Sequence, residues 1–486
     1  MKLPTQIAAT STLLCFAALG PRPALAETTT PAAALIELPV TSGGLTAAAV
    51  AERAALTSFD VKARALERRS AEAAVTQARA AFLPRLSGAA TYTRLSDFKQ
   101  PSLGTLVVAP GATPGPLQPG QPLQAVGFSF PVIQNQYLAQ ASLQVPLSDY
   151  LLRVPQGVSS AQERERSAAL NERAARATAA TNAKVVFYGW AKARWQVLVA
   201  KQTLAQTQGH LADVQKLVAA GESSNADALR LQSQVASAQL FVTRAEALAQ
   251  VYEEQLRVAL HAPPSQALQL GEDVQSDVSP ADVERMLAGD LEARFAEALS
   301  QRLEPRAMDA ATRSLRERAR AARAAGLPRL DAVGNALYAN PNPRIVPNQE
   351  KWRGIWDASL QLTWVPTELF GSESQVTALL RQAEASEAQR AALEDGIRVE
   401  VAQAISALRE AAQAQHSASQ GLAAAQESYR VRKLLEETGK ATTVEVVDAE
   451  TDLLRARLDL IAARLDARAA TARLEHALGR DVVAAK

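Results

Sequence analysis

Three carboxylates lie just beyond two glycines that break long helical patterns. After Gly221 the chain reads Ser224-Asn225-Ala226-Asp227. After Gly439 it reads Thr442-Thr443-Val444-Glu445, with Asp448 one turn further on. Glycine suits the left-handed end of a helix. Ser/Thr-x-x-Asp/Glu is the pattern in which a hydroxyl and a carboxylate close the first turn of the next helix. The chemistry this spacing supports by itself is capping, with each half of the chain folding as a helical hairpin that turns at its glycine. Catalysis finds no foothold. His210, His261, His416 and His476 are scattered without metal-ligand spacing, and no phosphate loop or nucleophile elbow is present. No enzyme activity, metal or cofactor is expected.

The helices that must carry these turns are long. No proline falls between Val158 and Ala262, or after Pro366. Alanine, leucine, glutamine and arginine fill both stretches, and all are good helix formers. A segment such as 372–438 would reach roughly 100 Å at 1.5 Å per residue. A lone helix of that length would leave its apolar stripe wet, so it needs helical partners. The 486 residues would otherwise suit about three ordinary domains. Fifty-two basic residues against 50 acidic ones argue against an electrostatic nucleic-acid binder. A 48% hydrophobic share excludes a disordered chain.

The first 26 residues predict a secretory signal. Lys2 opens it, Ile7 to Leu19 is largely apolar but too short to span a membrane, and Ala24-Leu25-Ala26 is a small-x-small cleavage site. Cys15, the only cysteine, lies inside it after Leu14, where a lipidation site wants a small residue. Removing Lys2 and Arg22 with this segment takes the formal net charge from +2 to 0.

The remainder is duplicated. Ala80-Ala81-Phe82-Leu83-Pro84-Arg85-Leu86 recurs as Ala324-Ala325-Gly326-Leu327-Pro328-Arg329-Leu330, and Ala141-Ser142-Leu143-Gln144 as Ala358-Ser359-Leu360-Gln361. Ala259-Leu260-His261 matches Ala477-Leu478-Gly479. The expected organisation is a first repeat over 27–264 and a second over 265–486, each running helix, strand, loop, strand, long helix, turn, helix. The first contains a loop over 98–136, rich in Pro, Gly, Leu and Gln, which is either the mouth of a barrel or a disordered tip. The second contains a strand pair over about 329–364.

The segments between helices alternate. Trp352, Gly354, Trp356, Ala358, Leu360, Leu362 and Trp364 share one face, while Arg353, Ile355, Asp357, Ser359, Gln361 and Thr363 share the other. Tyr137, Ala139, Ala141, Leu143 and Val145 repeat the pattern, and the stretches from Leu86 and Leu330 give weaker versions. Apolar-out, polar-in strands with interfacial aromatics mark a transmembrane β-barrel. Tyr137, Trp352, Trp356 and Trp364 are the candidate membrane girdle. Four strands cannot close a barrel, and open edges are forbidden in hydrocarbon. The chain must therefore oligomerise, with three or four copies preferred over two because about eight strands leave no lumen.

On these residues the chain resembles the TolC-like family of outer-membrane efflux and secretion channels. The Leu83-Pro84-Arg85-Leu86 and Leu327-Pro328-Arg329-Leu330 joints are similar to that family's, as are Ser359 to Trp364 followed by Pro366. So is the C-terminal run with Tyr429, Gly439, Val446-Val447-Asp448-Ala449, Leu453-Leu454 and Ala477-Leu478-Gly479. One departure is Val145 to Tyr150, which lacks the aromatic and glycines usual after this proline; the longer Pro-rich loop is another. The resemblance implies a mainly helical fold with a small transmembrane β part. Each subunit of a homotrimer would give four strands to a 12-stranded barrel continuous with a periplasmic helical barrel. It implies a passive exit duct in the outer membrane, in contact with its lipid, serving a tripartite efflux or type I secretion system. The partners would be a periplasmic adaptor and an inner-membrane transporter, with no nucleic acid. It places the aperture carboxylates at Glu445 and Asp448, with Asp227 as first-half counterpart. There they would form a ring that repels or holds cations, or merely cap helices. The turns with Gly221, Glu222, Thr438, Gly439 and Lys440 would dock the adaptor. The alternative is an exported periplasmic coiled-coil scaffold with a small soluble sheet. Neither reading names a cargo.

Overall fold

The computed structural model describes residues 39–97, 104–111, 115–116, 119–127 and 133–481. The expected signal segment 1–26, with Cys15, and parts of the 98–136 stretch lie outside these residues.

In chain order the elements are α1 (Ala47–Thr57), α2 (Phe59–Ala80), β1 (Arg85–Arg94), β2 (Thr105–Val108), β3 (Gln124–Gly127), β4 (Asn135–Pro146), α3 (Asp149–Leu152), α4 (Val154–Ala220) and α5 (Asn225–Leu260). There follow α6 (Pro280–Leu287), α7 (Leu291–Gln301), α8 (Leu303–Ala324), β5 (Arg329–Asn340), β6 (Arg353–Thr363), α9 (Glu368–Glu437) and α10 (Thr443–Ala477). The chain is mainly helical with a small sheet, and no described helix is long and apolar enough to cross a membrane.

Two helices dominate. α4 has 67 residues and α9 has 70, so each runs roughly 100 Å. The one proline in α4 is Pro155, in the first turn, where its missing N–H costs no helical bond. Because alanine fills so many buried positions, the core is a series of narrow seams instead of one wide centre. Ala319, Ala322, Val376 and Leu379 join α8 to α9, and Ala200, Val242 and Ala245 join α4 to α5. At Gly189 a Cβ would come within 2.8 Å of the Tyr252 ring, so glycine lets α5 press that ring onto α4.

The sheet is antiparallel, in the order β1-β4-β5-β6. The long helices repeat this order, because α2 packs on α4, α4 on α8 and α8 on α9. Each of these four helices is joined through a short connection to one strand, so sheet and helical wall form two tiers of one curtain. α5 folds back along α4, α10 along α9, and α10 also packs on α4.

One sequence expectation needs correction. The 98–136 stretch contains regular structure: β2 and β3 pair as an antiparallel ribbon, with Thr105 opposite Gly127 and Val108 opposite Gln124, and β4 starts inside the stretch at Asn135. Strands of four residues are too short to show a period. The charged stretch 163–173 of α4 includes a buried member. Glu172 is buried, with Arg68 Nε of α2 at 2.6 Å and Arg176 Nη2 at 2.5 Å. Two guanidiniums replace the water that the carboxylate loses.

Candidate functional site

Both hairpin turns are built by their glycines. Gly221 has φ +78° and Gly439 has φ +72°, a region that side-chain-bearing residues rarely adopt. At the first turn Glu222 N donates to Leu217 O at 2.8 Å and Gly221 N to Val218 O at 3.0 Å. At the second, Lys440 N donates to Leu435 O at 2.8 Å and Thr438 Oγ1 to the same oxygen at 3.0 Å. These bonds satisfy carbonyls left over at the helix ends. Gly221, Glu222, Thr438, Gly439 and Lys440 are all exposed.

The three carboxylates differ in how much capping occupies them. At α5, Asp227 N donates to Ser224 Oγ at 3.2 Å, and Asp227 Oδ2 accepts from Ser224 Oγ at 2.6 Å. At α10 the capping box is complete. Glu445 N donates to Thr442 Oγ1 at 3.4 Å, and Thr442 N returns a bond to Glu445 Oε2 at 2.9 Å. Arg432 Nη1 stands 3.4 Å from Glu445 Oε1. The Thr442 backbone bond, then the Thr442 hydroxyl and Arg432, hold the Glu445 carboxyl below its usual range. Asp448 belongs to no cap. Its nearest cation is Arg230 of α5 at 3.9 Å, and its side chain is 68% exposed. Asp448 is thus the carboxylate least engaged in capping. Beneath it, Val214, Leu231 and Val447 gather α4, α5 and α10 into one apolar knot.

Just above this knot is a buried polar cluster that the sequence reading missed. Thr207 Oγ1 donates to Glu450 Oε1 at 3.5 Å, and His210 Nε2 lies 3.4 Å from Glu436 Oε1. Glu450 and Arg457 are both buried. Burial raises the Glu450 pKa, and His210, Thr207, Lys433 and Arg457 only partly offset it. Burial also pulls the Arg457 guanidinium down, against the pull of Tyr429 and Glu450. The signal was present in the spacing. Val446, Glu450, Leu453, Arg457 and Leu460 follow a four-three repeat, so two charges occupy the apolar stripe of α10.

At the other tier, strand register settles which residues share a face. Leu86 opposes Leu143, Leu143 opposes Gly334, and Gly334 opposes Ala358. One face of all four strands is therefore small or apolar. At one end of it Tyr92 meets Tyr137 with centroids 5.1 Å apart, Tyr137 meets Trp352 at 5.8 Å, and Tyr338 stacks on Trp352 at 4.9 Å. At the opposite end Trp364 Nε1 donates to Gly326 O at 3.3 Å. Trp356 stands apart from both groups, 79% exposed in the body of β6. The other face is mixed, with Leu138, Val333, Leu337 and Ile355 on it, and its polar side chains are linked across strands. Ser142 Oγ donates to Asn335 Oδ1 at 2.8 Å, Asn335 Nδ2 to Asp357 Oδ1 at 2.9 Å, and Gln144 Nε2 to Asp331 Oδ2 at 3.0 Å.

A model of the outer membrane efflux protein family matches residues 50–261 and 295–480. Comparison with curated proteins gives no match. Several solved structures share the fold. CusC superposes with a TM-score of 0.71 at 15% identity, over 92% of this chain and 95% of that one. The open state of the Neisseria gonorrhoeae MtrE outer membrane channel gives 0.69 at 17%, over 89% and 88%. The outer membrane protein VceC from Vibrio cholerae gives 0.66 at 15%, over 88% and 95%. Identities this low speak for the fold alone, whereas the family model matches most of the chain. The scaffold alternative falls with that match: the chain belongs to the outer membrane efflux protein family, as an outer-membrane channel whose helices lie in the periplasm.

Proposed function

We propose that three copies assemble into the passive exit duct of a tripartite efflux or type I secretion system. The observation that carries this reading is the four-stranded sheet. Among the described residues its edge strands β1 and β6 have no neighbour on one side, and one of its faces is apolar with aromatics at both ends. In hydrocarbon each bare N–H and C=O costs several kcal/mol, so a membrane sheet must close. Three copies would give twelve strands, with β1 of one copy beside β6 of the next and the mixed face turned to a water-filled lumen. The helical tier would continue the lumen through the periplasm.

The hairpin turns would form the narrow periplasmic end, and their exposed backbone would dock the adaptor that links the duct to an inner-membrane transporter. Within that end Asp448 serves as the aperture carboxylate, because Glu445 and Asp227 are occupied by their caps. One Asp448 per subunit makes a ring of like charge that attracts and holds cations. Single-channel recording of the purified protein in planar bilayers tests this. Asp448→Ala should raise conductance and weaken block by divalent cations, while Glu445→Ala should do so less. Conductance and block unchanged in Asp448→Ala would remove Asp448 from the aperture.

A further inference from the structure

A second charged region lies on the helical tier, well away from the tip, and its sign is opposite. α2, α4 and α8 together line a concavity of about 960 Å³. The bend of the wall identifies which side this is. α4 meets α8 through Ser160, whose Oγ donates to Ser314 O at 2.9 Å, and through Ser167, whose Oγ donates to Ala307 O at 2.8 Å. It meets α2 through Glu172 and Arg68. Going round α4 at about 100° per residue, Arg164 falls between these two contact directions, on the smaller arc. Three successive helices share one concavity on the inside of their curve, so this face is the one that would line the duct.

The charges in the concavity do not balance. Glu67 is tied to Arg64 at 3.0 Å. Arg164 and Arg318 also line it, both exposed, and neither has a hydrogen bond or ion pair among the described residues. The rest of the lining is alanine, serine, glycine, asparagine and one leucine. Arg313 and Arg316 of α8, by contrast, are paired with Glu163 and Glu387. Arg164 and Arg318 are therefore left with their charge directed at whatever occupies the concavity.

We propose that Arg164 and Arg318 form a cationic collar inside the upper duct that favours passage of solutes bearing a carboxylate, sulfonate or phosphate. The proposal rests on the trimeric-duct reading. Three copies would place six guanidiniums around one lumen. Fixed cations in a narrow, low-dielectric-walled passage raise the local concentration of anions. A guanidinium also presents its donors as a fork that fits oxyanions. With the carboxylates of the tip, the duct then carries two opposite fixed charges in series, an arrangement that passes current unequally in the two directions.

The test is reversal potential in planar bilayers under a potassium chloride gradient, with block by the trisulfonated dye pyranine as a second readout. The double variant Arg164→Gln/Arg318→Gln should shift selectivity toward cations, bind pyranine several-fold more weakly and flatten the asymmetry of the current–voltage curve. Arg164→Lys/Arg318→Lys keeps the charge and should retain the wild-type reversal potential, with weaker dye block because the fork is lost. If wild-type protein conducts and the glutamine variant matches it in reversal potential and block, the collar is overturned while the duct stands. If wild-type protein forms no channels at all, the duct reading fails and takes the collar with it.

Discussion

The two ends of the helical wall are joined by different chemistry. Towards the sheet, α4 and α8 exchange reciprocal hydroxyl bonds: Ser160 Oγ to Ser314 O at 2.9 Å and Ser314 Oγ to Ser160 O at 2.8 Å. Thr312 Oγ1 donates to Ser386 Oγ at 2.9 Å across the next seam, between α8 and α9. These hydroxyl contacts are short and neutral, the last of them buried, and they stand beside short ion pairs, Arg68 to Glu172 at 2.6 Å and Arg313 to Glu163 at 2.9 Å. Towards the turns, the links across seams include Thr207 to Glu450 at 3.5 Å, His210 to Glu436 at 3.4 Å, Arg230 to Asp448 at 3.9 Å and the neutral Gln234 Nε2 to Thr451 Oγ1 at 3.2 Å. All four are longer than the upper hydroxyl bonds, and three contain an ionisable group. Short neutral bonds hold a fixed geometry at any ordinary pH. Long ionic ones are weak and respond to protons, salt or a docking partner. The two ends of the wall thus differ in how far these cross-seam contacts can respond to their surroundings.

That contrast can be broken most strongly at the upper seam. Ser167→Leu puts a branched side chain where a hydroxyl sits against the backbone of α8. Overpacking of this kind costs about 1–3 kcal/mol, so a clear fall in Tm is expected. A fall no larger than that of an exposed serine on the same helix would mean that the upper seam is not tight.

Next in size is the pH response of the lower seam. The Glu450 pKa is raised in the fold, so the folded state binds the proton more tightly than the unfolded chain does. Its contribution is greatest below the unfolded carboxylate pKa and is lost as pH rises through the raised value. Amides in the first turns of α10 should exchange faster relative to the upper wall at about pH 8 than at about pH 5, after correction for intrinsic rates. Glu450→Gln should abolish that difference. A lower seam indifferent to pH in the wild type would contradict the contrast.

The smallest effect separates the two turns. Thr442→Ala removes a complete capping box and should cost about 1 kcal/mol, visible as local exchange at the start of α10. Ser224→Ala should cost less, because Asp227 is not bonded back to the Ser224 N–H as Glu445 is to that of Thr442. Equal costs would deny the asymmetry between the hairpins.

Much of this was legible in the residues. Alternation from Trp352 to Trp364 marked the faces of β6, because a half-buried strand repeats every two residues. The glycine-then-Ser/Thr-x-x-acid pattern marked both turns, because a left-handed end and an N-cap each demand particular side chains. The β2–β3 ribbon was not legible, since four residues carry no period. Glu172 was hidden because the partner that buries it, Arg68, lies 104 positions away in sequence. Arg164 and Arg318 were invisible for a related reason. Their sequence neighbours are other arginines and glutamates, and only the packing shows which of those charges are already paired.

The central claim is that bare edges β1 and β6 meet between subunits. Cys15 is the only cysteine in the chain and lies within the expected signal segment, so the expected mature protein offers a clean background for engineered pairs. Cysteines scanned along β1 around Ala89 and combined with one at Ser359 on β6 should, on oxidation in outer-membrane fractions, give a covalent trimer that reduction returns to monomer. Recovery of the protein as a soluble periplasmic monomer, or the lack of a trimer band at every register tried, would contradict the account.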